Sequence, residues 1–195
     1  MPENPKIIVI AGCNGAGKST IAPHLLRDAF GLKEFVNADT IAQGLSAFSP
    51  ESVSLEAGKL MLKRLRELAN GRKSFAFETT LATRFYAQWM KDLKSQGFEF
   101  HLVFLWLKNP ELASARVKER VASGGHNIPE DVIYRRYFKG LQNFFKLYKP
   151  LANSWTFYDN SKFGNPDIIA EGVKESERIL NQKVWREICK LAESK

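Results

Sequence analysis

Cysteine is nearly missing from this chain: there are two, and they lie far apart. Cys13 falls in a glycine-rich stretch and Cys189 near the C-terminus, so no disulfide framework is expected. Histidine is also scarce, with three copies and none at clustered ligand spacing, which argues against a zinc centre. Long apolar runs are absent too, and the longest, such as 102–107, is far too short to span a bilayer. The residues ahead of the first apolar run, Met1 to Pro5, are too few and too polar for a signal peptide. There is no internal repeat, low-complexity tract or linker. These absences predict a cytoplasmic protein of one domain, residues 1–195, with no membrane partner. The chain is 44% apolar and 26% charged, an ordinary globular balance. Its net charge of +8 suits an anionic partner such as a nucleotide, although a basic surface can also serve solubility alone.

What is present is a complete phosphate-loop pattern, Gly12-Cys13-Asn14-Gly15-Ala16-Gly17-Lys18-Ser19. Glycines at 12, 15 and 17 let the backbone turn tightly and aim successive N–H groups inward. Those amides open a helix, whose positive end attracts phosphate. Lys18 supplies a point charge for the β- and γ-phosphates, and the Ser19 hydroxyl can take a place on Mg²⁺. The context fits: Lys6 to Ala11 is a short β-branched run typical of a buried strand, and Ile21, Leu25 and Leu26 begin a helical pattern. A nucleoside triphosphate site over Gly12 to Thr20, with ATP and Mg²⁺ as cofactors, is therefore expected.

Further along, Glu34 to Ala38 reads as a second strand ending at Asp39, and Ser49-Pro50 as the cap and first position of a helix. That helix carries Val53, Ala57, Leu60, Met61, Leu65 and Leu68 as a core stripe. Ser74 to Phe77 is a third strand running into Glu78-Thr79-Thr80. A helix over about 84–95 follows, then the most hydrophobic strand, Phe98 to Leu107, expected at the centre of the sheet. Asn109-Pro110 opens a helix to Ser123, residues 124–129 break it, and a long helix runs from Glu130 to about Lys149. Its Tyr137, Leu141, Phe144, Phe145 and Tyr148 series suits core packing better than nucleic-acid stacking. Trp155 to Tyr158 is a last core strand, two short segments near 167–171 and 177–180 suggest a small peripheral hairpin, and an amphipathic helix closes the chain. Alternating strands and helices specify an α/β fold, a P-loop NTPase-type parallel sheet with helices on both faces. Residues 108–136 stand apart, with four arginines around a glycine break, and resemble the helical lid of small-molecule kinases.

Ligands in such folds bind outside the carboxyl ends of the strands. Three motifs fall there: the phosphate loop, Asn37-Ala38-Asp39 and Glu78-Thr79-Thr80. Asp39 is the candidate base for an acceptor hydroxyl, although Asp at such a point also serves as a helix N-cap. Glu78 ends an apolar strand, where its charge needs a cation or a hydrogen-bonding ligand. With Asn37, Asp39, Thr79 and Thr80 it forms the candidate substrate-binding set; the two threonines are the weaker members, since they also favour strand ends. Arg116, Arg120, Arg135 and Arg136 flank the glycine break, and forked guanidinium donors suit a transferring phosphoryl group. A solvated basic face is the plain alternative for each. His126 suits a loop hydrogen bond as well as a role in the site.

In this order, the segments Ile7 to Thr20, Phe35 to Asp39, Ser74 to Leu81, and Arg116 through Gly124-Gly125-His126 to Arg136 resemble the zeta toxin family, in particular its short chromosomal branch. The resemblance covers about residues 6–160. It implies a kinase that uses ATP and Mg²⁺ to phosphorylate the amino-sugar 3′-hydroxyl of UDP-N-acetylglucosamine or a related UDP-sugar, inhibiting cell-wall synthesis. It assigns ATP and metal to Lys18 and Ser19, the base to Asp39, the sugar nucleotide to Glu78 and a phosphate clamp to Arg120. A second clamp falls to Arg135 or Arg136, and Arg116 goes with the nucleotide. An antitoxin partner is implied by the longer systems but is not visible in this chain. The alternatives are another hydroxyl acceptor (a metabolite, an antibiotic or a nucleic-acid end) or a non-kinase ATP-binding regulator.

Overall fold

The computed structural model describes residues 4–125, 127–162 and 166–193. Seven strands form one sheet in the order β2-β3-β1-β4-β5-β6-β7. The strands are β1 (Lys6–Gly12), β2 (Phe35–Val36), β3 (Phe75–Thr79), β4 (Glu99–Trp106), β5 (Ser154–Asp159), β6 (Asp167–Val173) and β7 (Ser176–Ile179). The first five are parallel, and β4 stands in the middle, as its hydrophobicity predicts. The expected peripheral hairpin forms from β6 and β7 at one edge of the sheet. Strand β6 pairs antiparallel with β5, so the hairpin extends the main sheet and makes it mixed.

Helices α1 (Lys18–His24), α2 (Ala38–Leu45), α3 (Ser54–Asn70), α4 (Phe85–Ser95), α5 (Pro110–Ala122), α6 (Glu130–Asn143) and α7 (Gln182–Glu193) lie between and after the strands. Strand β1 is buried almost throughout, from Ile7 to Gly12, as a central parallel strand covered on both faces must be. Several boundaries differ from expectation for local reasons. Pro23 lies inside α1 and cannot donate its backbone bond, and the helix widens directly afterwards over Leu25–Ala29. The expected Ser49 cap makes no capping bond; Pro50–Val53 forms a 3₁₀ turn and α3 begins only at Ser54. Leu60, assigned to the core stripe, is exposed, whereas Ala57, Met61, Leu65 and Leu68 are buried. The predicted helix over 130–149 widens at Phe144–Tyr148 and tightens at Lys149–Leu151. Its Tyr137, Leu141, Phe144 and Tyr148 are core, as the periodicity requires.

Helix α6 is drawn hard against the end of β3. A Cβ on Gly140 would stand 2.3 Å from the Thr80 carbonyl, so only glycine allows this approach. Asn143 Nδ2 donates to Leu81 O at 2.6 Å and the Tyr148 hydroxyl to Thr83 O at 2.7 Å. The turn after β3 is thereby fixed to the helix that carries Arg135 and Arg136.

Candidate active site

The phosphate loop links β1 to α1 and needs each of its glycines. Gly12, Gly15 and Gly17 hold φ angles of 144°, 78° and 83°. A Cβ at Gly12 would meet Leu105 O at 2.3 Å, and one at Gly15 would meet Ala113 O at 2.6 Å. Backbone from β4 and α5 therefore closes around the loop. Lys18 Nζ folds back over it and donates to Gly12 O and Cys13 O, both at 2.9 Å. Burial pulls the Lys18 ammonium below its ordinary range, and the Glu78 carboxylate opposes that pull. Burial also pushes the Cys13 thiol up to about 11, despite the nearby Lys18 charge, so it stays protonated at neutral pH.

The next two strand ends deliver polar groups to the same place. Asn37 caps α2: its Oδ1 accepts from Asp39 N at 2.7 Å and Thr40 N at 3.2 Å. This corrects the reading of Asp39 as a cap, because the cap lies two residues earlier and β2 is correspondingly shorter. The Asp39 carboxylate is exposed in the first turn of α2. It interacts electrostatically with Lys18, Glu78 and Arg136. The Ser19 hydroxyl donates to Glu78 Oε2 at 3.0 Å, and Asn37 Nδ2 donates to Ser19 Oγ at 3.4 Å. Burial raises the Glu78 carboxyl above its ordinary value, with Lys18 opposing. Its second oxygen, Oε1, is buried and without a hydrogen-bond partner among the described residues. Such an atom is costly unless a ligand or ion completes it.

Among the arginines, Arg136 Nη1 reaches Asn14 Oδ1 at 3.2 Å, directly on the phosphate loop, while Arg135 is exposed. Burial lowers the Arg136 guanidinium, Arg135 adds to this, and Asp39 opposes it. Arg116 clamps the turn after β5, donating from Nη1 to Asn160 O and from Nη2 to Ser161 O, both at 2.9 Å. Thr79 and Thr80 are occupied locally. Their hydroxyls accept from Leu81 N at 3.1 Å and Ala82 N at 3.4 Å, and neither residue lines a cavity of the site. His126 lies outside the described residues.

Two cavities open here. The larger, about 790 Å³, runs along the phosphate loop and α1 between Arg116, Arg120 and Asn160. The smaller, about 260 Å³, is enclosed by α2, Pro50, Ser54 and Gly125. Ser19, Asp39 and Arg120 line both, so they mark the junction. The sequence pointed to the residues of the junction but not to Asn160, which is buried at the end of β5. Its only signal was a polar trio, Asp159-Asn160-Ser161, closing an apolar strand at the ligand-binding edge.

Comparison with known proteins agrees with this architecture. The family model described as zeta toxin matches residues 1–160. An uncharacterized protein of Haemophilus influenzae is 33% identical over 132 residues, covering 68% of this chain and 92% of its own length. Among solved structures, AvrRxo1-ORF1:-ORF2 with ATP superimposes with a TM-score of 0.74 at 15% identity, covering 95% of this chain and 63% of that one. The present chain thus spans less than two thirds of that protein. A structure from the PezAT chromosomal toxin-antitoxin system of Streptococcus pneumoniae gives a TM-score of 0.64 at 18% identity, covering 98% and 86%. At these identities the structural likeness speaks for the fold, a helix-covered α/β sheet.

Proposed function

This chain belongs to the zeta toxin family, and from that premise we propose that it is an ATP-dependent kinase of a hydroxyl on a UDP-activated amino sugar. The observation that carries the reading is the junction of the two cavities at Ser19, Asp39 and Arg120. A phosphoryl donor in the larger cavity and an acceptor in the smaller would meet beside the exposed Asp39 carboxylate.

In this reaction Asp39 takes the proton of the acceptor hydroxyl, whose oxygen bonds to the γ-phosphorus as the bridging bond to ADP breaks. Charge spreads over the phosphoryl oxygens, and Lys18, Arg120 and Arg136 stabilise it. Arg136 is the second clamp, since it touches the loop and Arg135 is exposed. Arg116 and the amides from Gly12 to Thr20 hold the nucleotide; Asn37 lines the smaller cavity and faces the acceptor, while Glu78 lines the larger one beside Ser19. The oxygen donors around Ser19 fit Mg²⁺, a hard cation: the Ser19 hydroxyl is one, and the orphaned Glu78 Oε1 awaits a partner. Bound there, Mg²⁺ would neutralise β- and γ-phosphate charge. The acceptor we favour is the amino-sugar 3′-hydroxyl of UDP-N-acetylglucosamine or a related UDP-sugar, whose phosphorylation would withdraw it from cell-wall synthesis. The PezAT and AvrRxo1 relatives are described in toxin–antitoxin or two-chain assemblies, and a masking antitoxin is part of the proposal.

The test is ³¹P NMR of the protein with ATP, Mg²⁺ and UDP-N-acetylglucosamine, beside the Lys18→Ala and Asp39→Ala variants. A new phosphomonoester resonance that disappears in both variants is the expected result. Release of ADP without that resonance would reject this acceptor while leaving the phosphate loop in place.

A further inference from the structure

The turn after β5 makes more contacts with the phosphate loop than its sequence announces. Asn160 is buried, 6% exposed, at the foot of the larger cavity. Its Nδ2 donates to Ala16 O at 2.8 Å across 144 residues of sequence. A Cβ on Gly17 would come within 2.6 Å of the same nitrogen, so the side chain lies flat against the loop just before Lys18. The Asn160 backbone is held in turn. Its N–H donates to Trp106 O at 2.9 Å, and its carbonyl, with that of Ser161, receives the two arms of Arg116. Ser161 N donates to Asp159 Oδ1 at 2.8 Å, and Lys108 N donates to Ser161 Oγ at 2.9 Å.

From this geometry we infer that Asn160 is a positioning residue for the nucleotide: it fixes the phosphate loop in its binding conformation by holding the Ala16 carbonyl, and it ties that loop through its own carbonyl to Arg116 on α5. The phosphate-binding amides of such a loop point inward only if the carbonyls point outward and stay there. Ala16 O is the carbonyl of the peptide bond that carries the Gly17 N–H. Fixing the oxygen therefore fixes the direction of that amide. Without a donor at this place the peptide is free to rotate, and the glycine at 17 offers little steric resistance. The role concerns ATP and is independent of which hydroxyl accepts the phosphoryl group, although it rests on the larger cavity being the nucleotide site.

Two variants separate positioning from simple stability. Asn160→Leu keeps the size and removes the donor. Asn160→Asp removes the donor while ionised and restores one, a carboxylic O–H, when protonated. Binding of a fluorescent ATP analogue, followed from pH 8 down to about pH 4, where an ordinary aspartate begins to protonate, alongside thermal unfolding, is the readout. Both variants should bind about 10- to 100-fold more weakly than wild type at pH 8, the range for a buried group left without its partner. As the pH falls, Asn160→Asp should recover toward wild type while Asn160→Leu does not. Equal affinity of both folded variants and wild type would overturn the inference. So would parallel pH behaviour of the two variants. If the wild type itself fails to bind the analogue, the nucleotide site is rejected instead, which is a different result.

Discussion

The phosphate-loop edge of the sheet and its opposite flank, where α7 covers β5, are built on contrary principles. At the flank, Trp155 and Trp185 stack at 5.7 Å with only 10° between their planes, and Phe145 and Phe157 both lie 5.2 Å from Trp185. Lys149 closes the cluster from above, 4.8 Å over Trp155, with its charge met by Glu177 at 2.7 Å. Polar and apolar groups there are matched. At the phosphate edge, Glu78 Oε1 is buried without a hydrogen-bond partner among the described residues, Lys18 is held against its own loop and three glycines sit at positive φ. One flank stabilises the fold, and the other stores unsatisfied groups that a ligand can complete. Substitutions should therefore divide cleanly into those that cost activity and those that cost stability.

The largest expected effect on the active edge is that of Asp39→Asn. It keeps the shape of an exposed side chain and removes the carboxylate proposed as the base, so phosphoryl transfer should fall about 10²–10⁴-fold, with the thermal midpoint unchanged or raised. A variant retaining full turnover would remove Asp39 from the mechanism. The matching change on the other flank is Trp185→Ala, which empties a buried aromatic position. It should cost about 3–5 kcal/mol of unfolding free energy in urea titration, and the protein that remains folded should turn over at the wild-type rate. A selective fall in kcat instead would show that the two regions are coupled.

The contrast also explains which parts could be read from sequence. The phosphate loop was legible because its glycines answer to local backbone angles, and so was the core face of α6, because helical period alone sorts it. The cap of α2 was harder. Asn37 and Asp39 are both good caps, and a shift of two residues in where β2 ends decides between them. Arg135 and Arg136 are neighbours on one helix, and only the packing of α6 against the loop turns Arg136 toward Asn14. The merger of the C-terminal hairpin with the main sheet depends on a nonlocal pairing of β6 with β5. Asn160 was invisible for the same reason: its partner is Ala16, at the far end of the fold's sequence.

A smaller effect should come from Glu78→Gln, and its sign sharpens the contrast. Burial raises the Glu78 carboxyl in the folded protein above its ordinary value of 4.5. Its contribution to stability is therefore complete below that unfolded value and is lost as the pH rises through the folded one. Glutamine does not titrate. The stability of Glu78→Gln relative to wild type should then climb as the pH rises from about 4.5 toward neutrality, by on the order of 1 kcal/mol, while phosphoryl transfer declines. Urea titrations at a series of pH values would detect this. A difference that stays flat with pH would mean that Glu78 is adequately solvated or paired at every pH and stores nothing.

The smallest effect is expected from Lys149→Met, which keeps most of the side-chain stem over Trp155 and removes only the charge. The Lys149 side chain is one-fifth exposed and that of Glu177 about two-fifths, so neither the ion pair nor the cation–π contact acts in a fully dry setting. Partly screened pairs of this kind contribute about 0.5–1 kcal/mol. Loss of the charge should lower the unfolding free energy by about that much and leave the affinity for ATP unchanged. A double-mutant cycle with Glu177→Gln divides the loss. If the ion pair dominates, the second change adds little once the first is made, and added salt diminishes the wild-type advantage. If the aromatic rings dominate, the two changes add and salt matters less. A weakened ATP affinity in Lys149→Met would contradict the separation of the two flanks, because β5 would then be passing strain from α7 to the Asn160 turn at its carboxyl end.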